Sequence, residues 1–126
     1  MLDSSILVVD DTRVIQHVAR HILQKAGYQV TLAGDGEEAL EVLEDEPHDL
    51  VITDVSMPNM DGMELLEAMR ASDTLAHIPV IMMTGTGDEA DVVQARSAEP
   101  DGFLTKPVSS HNLLAEVARL LHQKAM

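Results

Sequence analysis

Leu50-Val51-Ile52-Thr53-Asp54, running on into Val55-Ser56-Met57-Pro58-Asn59-Met60-Asp61-Gly62, decides how the rest of the chain is read. A short run rich in β-branched residues reads as a strand buried on both faces, the pattern of a parallel sheet. It ends on a carboxylate, Asp54, and enters a loop punctuated by Pro58 and Gly62. In open α/β sheets, ligands and chemistry collect just beyond the carboxyl ends of the strands. Asp54 is therefore the candidate reactive group.

Working outward, Ile6-Leu7-Val8-Val9 is a second buried-strand pattern and also ends in acid, Asp10-Asp11. From Arg13 to Ala26 the period turns helical, with Val14, Ile15, Val18, Ile22 and Leu23 as the expected apolar stripe and Gly27 as the stop. Gln29–Ala33 reads as a short strand. Asp35-x-x-Glu38 and Asp61-x-x-Glu64 each have the form of a capping box opening a helix. Ala39, Leu40 and Leu43 face inward from the first of these helices, Leu65, Leu66 and Met69 from the second. Pro79–Thr84 is a fourth strand, and a weakly apolar helix is expected over Glu89–Ser97. Gly102–Thr105 forms a fifth strand before Lys106-Pro107, and a last helix over Ser110–His122 carries Leu113, Leu114, Val117, Leu120 and Leu121. Five strands alternating with five helices predict an α/β fold with right-handed crossovers.

The 126 residues fit a single domain, 1–126, with 45% hydrophobic and 24% charged residues. A net charge of -14 and a pI near 4.5 argue against a nucleic-acid surface, which needs clustered Lys and Arg. With no cysteine there is neither a disulfide framework nor a thiolate metal site. There is no signal-peptide pattern, and no apolar run approaches the ~20 residues of a membrane span. The expectation is a soluble cytoplasmic protein.

If the sheet is parallel, Asp10, Asp11, Asp54, Thr84 and Lys106 emerge at one edge. Gathered carboxylates repel, each pair at ~4 Å by about 4 kcal/mol at an effective dielectric of ~20. A protein holds such a cluster by protonating one member or binding a cation. Oxygen-only ligands favour a hard ion, and Mg²⁺ fits a few carboxylates plus waters. A carboxylate beside Mg²⁺, an ammonium and a hydroxyl is equipped for phosphoryl transfer. Asp54 would attack phosphorus, Lys106 would neutralise charge on the equatorial oxygens, and Thr84 would donate to one of them. No glycine-rich phosphate loop follows the first strand, so the phosphoryl group would arrive on another molecule.

Taken together, Ile6-Leu7-Val8-Val9-Asp10-Asp11, Asp54 with Met57-Pro58-Asn59-Met60-Asp61-Gly62, Thr84, and Asp101-Gly102-Phe103-Leu104-Thr105-Lys106-Pro107 resemble the receiver domain of two-component response regulators, the CheY-like family. The resemblance covers nearly the whole chain. It implies a doubly wound, flavodoxin-like five-stranded parallel sheet of order 2-1-3-4-5. It further implies Asp54 as the phosphoacceptor and a Mg²⁺ site of Asp10, Asp11, Asp54 and Ser56, with Asp11 a direct ligand, Asp10 acting mostly through water and Ser56 through its backbone carbonyl. Thr84 and Phe103 would form a switch pair, Lys106 would pair with the phosphoryl oxygens, and Lys106-Pro107 would be cis. The implied partners are a sensor histidine kinase or histidine phosphotransfer protein and a downstream target or output domain. The only catalysis implied is of the protein's own phosphorylation and dephosphorylation. Gly85 and Glu99-Pro100 depart from the family's usual small residues and flank the weak helix, which is expected to be mobile and to form the output surface.

Other readings compete. A degenerate receiver would dock partners without phosphorylation, although the acidic set, Thr84 and Lys106 are all present. A dehalogenase-like phosphatase needs Asp-x-Asp after the first strand, where this chain has Asp10-Asp11-Thr12. A flavin carrier needs a Ser/Thr/Gly phosphate loop there, where Asp10 and Asp11 would repel the phosphate. Phe103 reads equally as core, His17 and His21 as solvated, and Met57 and Met60 as loop packing. The segment after the last helix is too short for an output domain, which leaves a stand-alone receiver or a piece of a longer regulator.

Overall fold

The computed structural model describes residues 4–85 and 99–125; the helix expected over Glu89–Ser97, with its output-surface role, lies outside the described residues. The described elements are β1 (Ser5–Val9), α1 (Arg13–Lys25), β2 (Gln29–Ala33), α2 (Gly36–Asp45), β3 (Leu50–Asp54), α3 (Gly62–Arg70), β4 (Val80–Thr84), β5 (Gly102–Thr105) and α4 (Ser110–Ala125). All neighbouring strands pair in parallel, in the order β2-β1-β3-β4-β5. That is the expected doubly wound sheet.

Alternation along the strands splits the core into two layers. Leu7, Val9, Val51, Val80 and Met82 pack with α2 and α3 residues such as Leu43, Leu66 and Met69. Ile6, Val8, Ile52, Ile81 and Met83 pack on the other face with Leu23 of α1 and Leu113 and Val117 of α4. The central strands β3 and β4 are buried at every residue, which is why they read as continuous apolar runs. At the edge, β5 alternates buried and exposed. No helix is long and apolar enough to cross a membrane among the described residues.

Local signals set the helix ends. Gly27 takes φ 103, and the N–H groups of Gly27 and Tyr28 return to the carbonyls of Gln24 and Leu23, a left-handed stop that glycine adopts without strain. Asp61 and Glu64 form the reciprocal capping box. At α2 only half of the expected box forms. Asp35 accepts from the Glu38 N–H, but Glu38 Oε2 accepts from Gly34 rather than from Asp35.

The apolar stripe of α1 is rotated from its expected position. Ala19 and Leu23 are buried, whereas Val14 and Val18 are 69% and 51% exposed. Both valines line an open apolar cavity of about 470 Å³ between α1 and α4, whose walls include Pro107, Val108 and Leu113. The large residues set the apparent stripe in the sequence, while small Ala19 lies at the packed centre.

Candidate functional site

The parallel register brings residues far apart in sequence to one edge. Asp54 is the last residue of β3, next to the end of β4 through the Asp54–Met83 pairing. Asp10 directly follows β1, and its N–H donates to the Ala33 carbonyl at 3.0 Å. Asp10 and Asp54 are buried and Asp11 is exposed; one carboxylate oxygen from each lies within 4.8 Å of the others. Thr84, also buried, ends β4, and its carbonyl accepts from the Lys106 N–H at 2.8 Å. That bond holds the chain leaving β5 to the end of β4, and the Lys106-Pro107 peptide is cis, as expected.

Lys106 Nζ then stands 3.0 Å from Asp54 Oδ2 and 3.6 Å from Asp10 Oδ2. Burial holds the Asp54 carboxyl above its ordinary pKa; Lys106 opposes this, the Asp10 charge adds to it, and the Ser56 N–H opposes it. Burial works against the Lys106 charge, but its hydrogen bond to Asp54 and the charges of Asp54 and Asp10 raise its pKa overall. One ammonium thus faces more negative charge than it can neutralise.

The Asp10 carboxylate shows where that excess falls. Its Oδ1 accepts from the Thr12 N–H at 2.8 Å. Its Oδ2 is the one buried side-chain oxygen or nitrogen without a hydrogen bond among the described residues. A buried orphan oxygen is costly unless something else satisfies it. Beside two further carboxylates and no soft ligand, the group that fits is a hard divalent cation.

Ser56 lies exposed in the loop two residues beyond Asp54. Phe103 stands apart from the cluster, paired with Met82 on β5 and 38% exposed beside Asn112, Glu116 and Arg119. Its reading as core is therefore wrong, because the edge strand turns that side chain outward. His17 and His21 are exposed, with His17 Nδ1 2.7 Å from Arg20 Nη2. Met57 and Met60 pack against the α2–α3 core layer, as expected of loop residues.

Two residues of the stretch after β3, read in the sequence only as punctuation and motif, support the site. A Cβ on Gly62 would stand 2.1 Å from the Asp54 carbonyl oxygen, so α3 starts where only glycine lets the backbones approach. Asn59 adopts φ 65 and donates from Nδ2 to Asp35 Oδ2 at 2.8 Å, tying the loop after β3 to the start of α2. A Pro-Asn turn beside Asp-Gly was the available signal for that left-handed residue.

A five-stranded doubly wound sheet with an acidic pocket at its carboxyl edge defines a flavodoxin-like α/β protein. Residues 6–118 match the family model described as the response regulator receiver domain, and the chain belongs to that family of two-component signalling proteins. It is 32% identical over 119 residues to the chemotaxis protein CheY of Pseudomonas aeruginosa, covering 94% of this chain and 96% of that one. It is 35% identical over 122 residues to the alkaline phosphatase synthesis transcriptional regulatory protein PhoP of Bacillus subtilis, covering 97% of this chain but 50% of PhoP. This chain thus spans about half the length of that relative. The crystal structure of the signal receiver domain of a signal transduction histidine kinase from Syntrophus aciditrophicus superposes with a TM-score of 0.88 at 38% identity, covering 95% of this chain and 91% of that one.

Proposed function

We propose that residues 1–126 form one cytoplasmic receiver unit. In it Asp54 accepts a phosphoryl group from the phosphohistidine of a sensor histidine kinase or histidine phosphotransfer protein. A carboxylate oxygen of Asp54 attacks phosphorus, the P–N bond to the donor imidazole breaks, and the imidazole leaves with a proton. The product is an acyl phosphate. The reaction is the protein's own modification and reversal rather than turnover of a free substrate.

The observation that carries this reading is the trio of Asp54 Oδ2, Lys106 Nζ at 3.0 Å and the orphaned Asp10 Oδ2. Asp10, Asp11, Asp54 and the backbone carbonyl of Ser56 would hold Mg²⁺. When bound, Mg²⁺ offsets negative charge at the carboxylates and the incoming phosphoryl oxygens. Lys106 already rests on the oxygen pair where new charge would arrive, so it can follow that charge outward onto the phosphoryl group. Thr84 lies one residue beyond the strand pair that contains Asp54, and its hydroxyl is the proposed donor to a phosphoryl oxygen. Movement of Thr84 and inward rotation of the exposed Phe103 ring would then change affinity for a downstream target or output domain. Moving such an equilibrium from 1:99 to 99:1 takes about 5.5 kcal/mol of differential stabilisation.

Intact mass after incubation with Mg²⁺ and acetyl phosphate tests the chemistry. One added phosphoryl group is expected, dependent on Mg²⁺ and absent from Asp54→Asn. Labelling that persists in Asp54→Asn would refute the acceptor assignment. Failure of the wild type both to label and to bind beryllium fluoride would refute the switch and leave a docking module, whereas beryllium fluoride binding without a label would mean a short-lived phosphoryl group.

A further inference from the structure

Gln16 sits on α1 facing the ends of β1 and β2, half-buried. Its side-chain amide nitrogen donates to the backbone carbonyl of Asp10 and, at 3.2 Å, to that of Ala33. Both neighbours are carbonyl oxygens, so the amide can meet them only through its NH₂, and both hydrogens are used. The Ala33 carbonyl also receives the Asp10 N–H. The amide therefore prolongs the β1–β2 ladder by one rung, at the residue whose side chain belongs to the acidic cluster.

That rung fixes both backbone flanks of Asp10. On the side chain, the Thr12 N–H holds Oδ1 and leaves Oδ2 unbonded toward Lys106 and Asp54. α1 has no side-chain cap at Thr12, so the start of the helix is held to the sheet through these contacts of Asp10 and Gln16. We infer that Gln16 is a positioning residue for the divalent cation. It sets the direction of Asp10 Oδ2 and thereby the affinity and selectivity of the pocket. The inference rests on the reading of Asp10, Asp11 and Asp54 as a cation site.

Mg²⁺ demands near-octahedral geometry and short bonds, whereas Ca²⁺ accepts flexible, variable coordination. Loss of an outer-shell partner typically lowers metal affinity by about 10- to 100-fold. A misdirected Asp10 should therefore penalise Mg²⁺ more than Ca²⁺, a distinction that general loosening of the fold does not produce.

The test is calorimetric titration of the full chain with Mg²⁺ alone and with Ca²⁺ alone, in the wild type, Gln16→Leu, Gln16→Arg and Asp11→Asn. Gln16→Leu should lose about tenfold in Mg²⁺ affinity and clearly less in Ca²⁺ affinity. Gln16→Arg, which can again donate to two carbonyls, should restore the wild-type Mg²⁺-to-Ca²⁺ ratio even if its charge weakens both. Should Gln16→Leu not fold, Gln16→Asn asks the same question, one methylene too short to span both carbonyls. If Asp11→Asn abolishes binding while the position-16 variants keep their Mg²⁺ affinity within twofold, the positioning role is overturned and the cation site stands. If the wild type binds neither ion, the cation reading itself is overturned, and this inference with it.

Discussion

At the amino edge of the sheet, Asp49 Oδ2 accepts from the Ser5 N–H and Asp101 Oδ2 from the Val80 N–H, each at 2.8 Å. At the carboxyl edge, Asp10 Oδ2 is buried without a hydrogen bond and Asp54 is held above its ordinary pKa. The same residue type, placed at or just beyond a strand end, does opposite things. Asp49 and Asp101 satisfy strand-end N–H groups, and Asp101 also pairs with Arg70 at 2.6 Å. His48, buried nearby, uses both nitrogens: Nδ1 donates to the Glu46 carbonyl and Nε2 lies 3.3 Å from the Thr31 hydroxyl oxygen. The amino edge is closed chemically, while the carboxyl edge carries an unmet demand for positive charge. Stability is spent at the edge where a ligand can return it.

Substitutions can break or sharpen this contrast. The largest effect is expected at Gly62, where an added Cβ meets the Asp54 backbone rather than a flexible side chain. Gly62→Ala should lose about 3 kcal/mol of stability in urea melts; a loss under 1 kcal/mol would mean that α3 can shift without disturbing Asp54. Lys106→Met comes next. It removes the ammonium that pairs with both Asp10 and Asp54 among the described residues, and because Lys106 is itself a quarter exposed, about 2 kcal/mol should be lost in metal-free buffer at neutral pH. Saturating Mg²⁺ should recover most of that loss, ligand at ~100 times its Kd being worth about 2.7 kcal/mol. Recovery no greater than an equal concentration of Na⁺ gives would mean that the charge deficit is not a cation site.

Smaller still, Asp101→Ala removes the Val80 bond and the Arg70 pair at the closed edge. Arg70 keeps the carbonyls of Ala76 and Ile78, so the loss should be about 1 kcal/mol and indifferent to Mg²⁺. A Mg²⁺-sensitive loss there would erase the distinction between the edges. The finest test is pH. The folded pKa of Asp54 lies above its unfolded value, so between the two the folded state binds more protons and stability falls as pH rises. Without metal, the wild type should therefore weaken relative to Asp54→Asn as pH climbs from 3.8 through the folded pKa. Parallel melts for the two proteins across that window would remove Asp54 as the source.

Much of this was legible in the chain. The runs through β3 and β4 announced themselves because strands buried on both faces have no polar alternation to confuse. Asp10, Asp54 and Lys106 could be brought together because parallel topology sends every strand end to one side. What stayed hidden depends on three-dimensional direction. The burial of Ala19 in place of Val14 follows from how α1 rolls against β1 and α4, which periodicity leaves free. Phe103 is exposed because β5 is an edge strand, a fact of order rather than of composition. Gln16 carries no signal of its own in the sequence, since nothing there says that two carbonyls await its amide.

Sheet order carries one more consequence. The chain segments that supply Asp10, Asp54, Thr84 and Lys106 are separated by most of the polypeptide, and no two of the four belong to one hairpin or one helix. No local fragment can preassemble half of the pocket. Lys106 arrives only when β5, the four-residue edge strand, docks last in line against β4. Ligand affinity at this edge thus reports the docking of β5 as well as the integrity of the rest of the sheet. A chain variant that frays only at β5 should lose the pocket while most of its sheet, and most of its circular dichroism, persists.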